Sequence, residues 1–506
     1  MDSKSKLIVF ITFAVFIFFP VKDTFLLGLM FENLVLYFSV LKYLDAWMLT
    51  FMLFNCWVMV CFLLWLFPFS FYYWNKAVDE FESLKKLRGR AKNITTPTPH
   101  IAVVIPAFNE EKTIVQTIRS CQHQNWKPRQ IIIIDDGSTD KTAELVINRF
   151  NLKRRFYVKQ KPRLPQKGAV TAIYSNGIIT LISKVNAGKS YALNLGFDYI
   201  NRSTEYACIF DADTISHEEG VMGLIYPMVE DRDLVLTSGR NQIVNGCHVI
   251  DGKVVQVGVT KNPLILSQIR EYLVDLVSKA FGNSLDAQAV LIGNFSGYRI
   301  DAVYKLNGFA DRGMTEDYDY NFHVHAEKVG KIRAILTAQG WTQGPHSLSG
   351  VFNQRVRWSV GILDSLIRYR KVAGRPDAMG KFFVPVQMFK AIVFPIYFIA
   401  NFSLIPLAIY LWMTNPHGHL VESVFMCFYL PAYIMKFVME VGIHNYIDWK
   451  YIKNYNNAST YVWLAMFKMF FGYAYNSILL TCNAVAYWKY FWGTATWGKM
   501  ERTKVD

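Results

Sequence analysis

Hydrophobic and polar positions divide the chain into three regions of different periodicity. Near the N-terminus the apolar residues run continuously. Ala46 to Asn75 contains no Asp, Glu, Lys or Arg, and about twenty such residues suffice for a helix to cross a hydrocarbon core. Leu7 to Val21 is a shorter uncharged run bracketed by Lys6 and Lys22. Its length also suits a signal-peptide core, but no small-residue cleavage site follows it. Thr24 to Leu41, interrupted by Glu32, suits a segment lying in the interface.

From about His100 to Gly380 the pattern changes to short apolar runs between polar helices. Ile101 to Ile105 and Ile131 to Ile134 are β-branched, and Glu110 to Cys121 between them is helical in pattern, which predicts a βαβ unit. A third strand, Tyr206 to Phe210, also ends in acidic residues. Two consecutive strand ends then carry Asp135, Asp136 and Asp211, Asp213, and parallel α/β sheets bind ligands at such carboxyl ends. His248 to Val255, with Asp251-Gly252 between apolar triplets, predicts a tight hairpin. Past Phe382 the long apolar runs return, at Ala391 to Pro416, at Ser423 to Ile443 (broken by Lys436 and Glu440) and at Met469 to Trp488, so that five or six spans are expected in all.

The fold class is therefore α/β plus membrane α. The expected order is transmembrane helices over 1–75, a basic linker over 76–99, an α/β domain over 100–345, interfacial amphipathic helices over 346–382, and further transmembrane helices with a tail over 383–506. Charge refines this order. Lys and Arg number 54 against 39 Asp and Glu, a net +15. The excess gathers beside apolar runs, as in Lys76, Lys85, Lys86, Arg88, Arg90 and Lys92, and such a cluster marks a cytoplasmic flank. The middle of the chain is expected in the cytosol, a lipid bilayer is an expected partner, and nucleic acid is not. The seven cysteines show no metal-ligand spacing and are expected as reduced thiols.

Three segments carry candidate chemistry. Asp211-Ala212-Asp213 places two carboxylates at alternate positions of an extended strand end, where both reach one hard cation shared with phosphate oxygens. Thr315-Glu316-Asp317 opens a helix. Either Thr315 is an N-cap with acids favoured in the first turn, or one carboxylate is a general base. Gln354-Arg355-Val356-Arg357-Trp358 begins an amphipathic helix that suits a membrane surface and equally offers Arg forks for a diphosphate and Trp358 as a stacking platform.

IPAFNEE (Ile105 to Glu111), DDGSTD (Asp135 to Asp140), NAGKSYALNLG (Asn186 to Gly196), DAD, TED and QRVRW, in this order over roughly residues 100–375, resemble the processive family 2 glycosyltransferases. That family includes cellulose, chitin, hyaluronan and poly-N-acetylglucosamine synthases. The resemblance implies a cytosolic, inverting GT-A domain that takes a UDP-sugar with Mg²⁺ or Mn²⁺ and passes a growing polysaccharide through its own helices, in a multi-pass protein of the plasma membrane. By the same resemblance, Ala107, Phe108, Glu110 and Asp136 hold the uridine and Lys189 approaches the diphosphate. Asp211 and Asp213 hold UDP and metal, with Asp213 the direct ligand. Asp317 is the base, beside Glu316 and Thr315. Gln354, Arg355 and Arg357 hold the leaving group, while Phe295, Ser296, Gly297 and Trp358 line the acceptor site.

TED leans, again by resemblance, toward cellulose-like or poly-N-acetylglucosamine-like enzymes. A lysine at mid-depth in a bilayer costs roughly 2.5–3.5 kcal/mol unless it meets water or a partner. Lys390, Lys436 and Lys468, in or beside apolar runs, either snorkel to the interface or line a channel. As channel residues, Lys436 and Lys468 would favour an anionic product such as a glucuronic acid polymer. A non-processive transferase acting on a lipid carrier such as dolichyl phosphate shares the donor motifs but has no need of QRVRW.

Overall fold

Seven consecutive buried residues, Ile101–Ala107, form the central strand β1, as expected of a strand covered on both faces. The computed structural model describes residues 75–93, 98–156, 161–388 and 458–492, apart from residues 77, 287, 289–290, 292, 378 and 386. The expected spans before residue 75, the runs Ala391 to Pro416 and Ser423 to Ile443, and Lys390 and Lys436 lie outside the described residues.

β2 (Gln130–Asp135) and β6 (Tyr206–Phe210) run parallel to β1 on either side of it. The helix α2 (Ile114–Gln122) provides the crossover between β1 and β2, so the βαβ unit forms as its periodicity predicts. One detail differs. The acidic strand ends are not adjacent, because β1 separates them and the Phe108–Glu110 loop lies between Asp135 and Asp211.

The whole sheet has ten strands in the order β3–β4–β5–β2–β1–β6–β11–β8–β12–β7. β3 (Lys153–Arg155), β4 (Val170–Ser175) and β5 (Ile179–Lys184) build one wing, whose outer strand exposes Lys153, Arg154 and Arg155. Charge on an open edge discourages pairing with other chains. On the other wing, β11 (Phe295–Arg299) runs antiparallel between β6 and β8 (Leu234–Ile243). β12 (Lys331–Thr342) then lies parallel to β8 and antiparallel to the short β7 (Ile215–Ser216). The start of β11 and the ends of β1, β2, β6, β8 and β12 thus share one edge of the sheet.

The predicted hairpin forms from β9 (His248–Ile250) and β10 (Lys253–Gln256), with Asp251 at φ 50° and Gly252 at φ 74°. Two successive positive φ values match the twist of a two-residue turn. Asp251 pairs with Arg119 of α2, and the Gly252 amide donates to Gln116 Oε1 at 2.6 Å.

The expected basic linker is instead largely helical. Residues 78–92 form α1, held by Arg88 and Lys92 on Glu219, by Arg90 on Glu230 at 3.0 Å, and by Glu80 on Arg333 at 2.8 Å. The remaining helices are α3 (Thr142–Arg149), α4 (Lys189–Asp198), α5 (Gly220–Glu230), α6 (Pro263–Ser284), α7 (Ile300–Lys305), α8 (Glu316–Ala326), α9 (Leu348–Arg368) and α10 (Ala458–Trp492). Asn262 caps α6 by accepting from the Leu264 and Ile265 amides, with Pro263 in the first turn.

Among the described residues no helix is long and apolar enough to cross a membrane. The Met469 to Trp488 run, expected as a span, lies within the 35-residue α10, whose Asn476, Ser477, Thr481 and Asn483 lower its hydropathy. α10 packs against α9 through Val356, Val360, Cys482 and Ala486.

α4 reaches the sheet closely because Gly196 has no side chain. A Cβ there would stand 2.4 Å from Cγ1 of buried, β-branched Val104, which has no room to rotate away. Gly196→Ala is expected to destabilise the domain by about 1–3 kcal/mol and to lift the helix that begins with Lys189. A lower thermal midpoint with reduced donor affinity checks this, and unchanged values of both would refute it.

Candidate active site

Three loops at the carboxyl edge of the sheet are knitted by side-chain to backbone hydrogen bonds. After β1, the Asn109 amide donates to Ser138 Oγ at 2.9 Å and the Glu110 amide to Thr142 Oγ1 at 2.8 Å, while Asn109 Oδ1 accepts from the Thr139 amide at 2.6 Å. Asn109 takes a positive φ of 56° to make this turn, a conformation that asparagine tolerates better than most residues. Ala107 is buried beneath the loop, and Phe108 and Glu110 are half-buried above it.

Asp136 departs from its expected role. Its carboxylate turns inward, where Lys184 Nζ and the Ala187 amide (3.0 Å) reach Oδ1 and the Gly188 amide (2.8 Å) reaches Oδ2. With most of its acceptor capacity used and only 4% of its surface exposed, Asp136 pins the loop that launches α4. Asp135 likewise serves the turn, accepting from the Ser138 amide at 3.0 Å.

α4 begins with Lys189, whose ammonium bridges Asp211 Oδ1 at 2.7 Å and Glu316 Oε1 at 2.8 Å. Removal from water opposes the lysine's charge, but Asp211, Glu316 and Asp317 together outweigh it and hold the group protonated. Asp211 is raised, by burial first and by the Asp213 carboxylate in addition, against the pull of Lys189. Asp213 is buried, and its Oδ2 accepts from Thr342 Oγ1 at 3.1 Å.

Two hard carboxylates two residues apart, the first pushed up partly by the second, fit a divalent cation shared with diphosphate oxygens. Among the described residues no group of three or more His, Cys, Asp and Glu side chains is placed to hold an ion. Asp211 and Asp213 are the pair that would take part.

Glu316 and Asp317 open α8, and their environments push them apart. Burial raises Glu316, yet the charge and hydrogen bond of Lys189 more than offset this, with Arg357 assisting, and the carboxyl ends below its ordinary value. Asp317 is pushed up to about 6, first by burial and then by the Glu316 charge. Its oxygens accept from the Gly293 amide at 3.0 Å and the Tyr318 amide at 2.9 Å. A carboxylate poised there suits a general base. Thr315 stands at the N-cap position, but its hydroxyl caps nothing. Among the described residues Thr315 Oγ1 has no hydrogen-bond partner, and its side chain packs where a Cβ on Gly361 would otherwise stand, 2.1 Å from that oxygen.

The expected acceptor strand is core. Phe295 is fully buried, Ser296 nearly so, and Gly297 lies between β6 and β8. The Phe295 ring fills space left by glycines: a Cβ on Gly239 would stand 2.2 Å from it, and one on Gly220 or Gly340 3.0 Å. These residues shape the floor from below and do not line the opening.

α9 carries QRVRW, and its two arginines part company. Arg357 lies close enough to Glu316 to lower that carboxyl. Arg355 is buried, with Nη2 2.7 Å from Glu271 Oε2, Nη1 2.7 Å from Gln354 Oε1, and its guanidinium stacked 4.2 Å from the centre of the Trp358 ring. The leaving-group contact expected of Arg355 is thus replaced by an internal ion pair, and Gln354 is drawn to the same guanidinium. Glu271, Tyr475 and Thr342 escaped the sequence reading because each stands in an unremarkable helix or strand and gains its partner only through the fold. Lys468 is half-buried on α10.

Comparison with known proteins agrees with this architecture. The family described as glycosyl transferase family 2 matches residues 102–248, and that described as glycosyl transferase family group 2 matches residues 208–497. A poly-beta-1,6-N-acetyl-D-glucosamine synthase of Staphylococcus aureus is 27% identical over 271 residues, which is 53% of this chain and 56% of that protein. The match spans about half the length of such curated relatives. Among solved structures, a mannosyltransferase of Pyrobaculum calidifontis in complex with GDP-Man and Mn²⁺ overlays with a TM-score of 0.46 at 14% identity, covering 83% of this chain and 99% of the other. Glucosyl-3-phosphoglycerate synthase of Mycobacterium tuberculosis gives 0.35 at 15% identity, covering 58% and 85%. With more than half of its residues matched by the family group 2 description alone, the chain belongs to the family 2 glycosyltransferases.

Proposed function

We propose that this chain is a processive, inverting membrane glycosyltransferase that polymerises a UDP-sugar on the cytosolic side of the plasma membrane and passes the polysaccharide through its own helices. One observation carries the catalytic part: the Lys189-bridged carboxylates place a base raised toward neutrality, Asp317, beside a DxD pair and Arg357. An acceptor hydroxyl attacks the anomeric carbon, Asp317 takes its proton, and the bond to the β-phosphate oxygen breaks as UDP departs with the electron pair. Lys189 and Arg357 set positive charge where negative charge develops. Mg²⁺ or Mn²⁺, held by Asp211 and Asp213, would supply further charge to the diphosphate.

The membrane part rests on the apolar runs of the sequence and on α10. Trp463 near one end of α10 and Trp488 near the other are exposed, about 37 Å apart at ~1.5 Å per residue. Aromatic residues so spaced suit the two interfaces of a bilayer. Two polar residues of α10 turn toward protein, Tyr475 where it meets Glu271 and Asn483 where it meets Ser359, while Asn476 is exposed. Lys436 and Lys468 remain channel candidates for an anionic product. The relative's name puts UDP-N-acetylglucosamine first among donors, ahead of UDP-glucose and UDP-glucuronate.

Purified, detergent-solubilised protein with Mn²⁺ or Mg²⁺ should release UDP from one of these three donors and form a product of high molecular weight. UDP release with only single-sugar lipid products would transfer the assignment to a lipid-carrier transferase.

Asp317→Asn should lower kcat by about 10²–10⁴-fold while UDP still raises the thermal midpoint. Loss of that protection would make Asp317 structural.

The acid limb of the rate should follow Asp317. The group is protonated and idle below its raised value of about 6 and ionised above it, so kcat should fall about tenfold per pH unit on the acid side. Glu316→Gln removes the neighbouring negative charge that helps raise Asp317, and should move the limb to lower pH. An unmoved limb would exclude Asp317 as the titrating base.

A further inference from the structure

Two residues apart on a helix, the arginines of QRVRW point about 200° apart around its axis. Arg357 is directed toward Glu316 and the reacting groups. Arg355 is directed toward α6 and α10, and what it meets there is specific. Glu271, from the third turn of α6, takes Arg355 Nη2 on Oε2 at 2.7 Å. The same oxygen accepts the hydroxyl of Tyr475 from α10 at 2.8 Å. Three helices therefore converge on one carboxylate oxygen. On its other side, the guanidinium lies over the Trp358 ring, one turn further along α9.

This geometry constrains Trp358. A guanidinium over the face of an aromatic ring is attracted to it and restricts how that ring can turn. Glu271 holds the guanidinium, which in turn covers one face of the indole of the half-buried Trp358. Since Tyr475 is part of α10, the setting of the indole is also tied to the helix with exposed tryptophans at its ends.

We propose that Glu271, through Arg355 and together with Tyr475, is a positioning residue for the acceptor: it orients Trp358 as the platform for the chain terminus and links that platform to α10. This rests on the polymerase assignment above. Arg355 accordingly takes no part in binding UDP, which falls to Lys189 and Arg357.

The test compares full-length Glu271→Gln, Arg355→Lys and Tyr475→Phe proteins in detergent, using the donor that the wild type turns over. Two readouts are taken: KM for the donor, and UDP released per sugar incorporated into polymer, together with chain length. Glu271→Gln keeps the shape but loses the charge, and Arg355→Lys keeps the charge but loses the planar fork. Each should leave the donor KM within about twofold while raising wasted UDP release and shortening chains by about fivefold or more, because a misplaced acceptor gives way to water. Tyr475→Phe deletes one hydroxyl and should shift the same readouts less. It carries the test even where Glu271→Gln lowers the thermal midpoint.

A donor KM raised about tenfold in Arg355→Lys, with chain length unchanged, would overturn the proposal and return Arg355 to the diphosphate. Wild-type readouts in all three variants would overturn it as well. Failure of the polymerase assignment looks different, since the wild type itself would then make no polymer.

Discussion

Lys189 is the constraint on which the site depends. Asp211, Asp213, Glu316 and Asp317 are brought to one edge of the sheet from two separate segments, and two like charges about 4 Å apart repel by roughly 4 kcal/mol at an effective dielectric of 20. An ammonium bridging Asp211 and Glu316 at 2.7 and 2.8 Å makes the arrangement tenable and also decides its chemistry. The carboxylate that Lys189 touches on α8 is lowered, and its neighbour Asp317, which lacks that contact, is raised. Adjacent acids in one helical turn are thereby differentiated into a charge-stabilised partner and a group able to accept a proton.

That lysine is held from beneath. Its helix starts where Asp136 captures the Ala187 and Gly188 amides, and the helix lies flat on β1 because Gly196 admits Val104. On the far wing, the reversal of β11 brings its first residues to the edge where β6 ends. The Asn294 carbonyl there accepts the Asp211 amide at 2.9 Å, and Gly293 in the same segment donates to Asp317. One short antiparallel strand start thus supports both the DxD segment and Asp317.

How legible each part was follows from what specifies it. β1, β2 and β6 are buried on both faces and read as unbroken apolar runs, and the β9–β10 turn needs two positive φ values that Asp-Gly supplies. β8, β11 and β12 were not recognised as strands. Their sequences LTSGRNQI, FSGYR and AILTAQGW are interrupted by glycines and polar residues, because the Phe295 ring needs the space above Gly239 and Gly340. Phe295, Ser296 and Gly297, expected at the acceptor site by resemblance, are buried for the same reason: the glycines make room for the aromatic ring inside the core. The TED and DAD carboxylates were legible as a set, since charge at a strand end or in a first helical turn has few other uses.

A motif specifies residue types and spacing but not the direction in which a side chain finds its partner, and the arginines of QRVRW show the consequence. Both are adjacent to the site in sequence, and both have the fork geometry that binds diphosphates. Arg355 is diverted by Glu271, 84 residues earlier in the chain, and Asp136 by Lys184, 48 residues later. In each case a buried charge takes a counter-charge from within the chain, since an ion left unpaired away from water costs several kcal/mol. Lys189 differs from both in being shared among several carboxylates, and Asp317 accepts from the Gly293 and Tyr318 amides. Burial and pairing therefore sort a family's motif residues into those that hold the site and those that act in it, a division that spacing along the chain does not reveal.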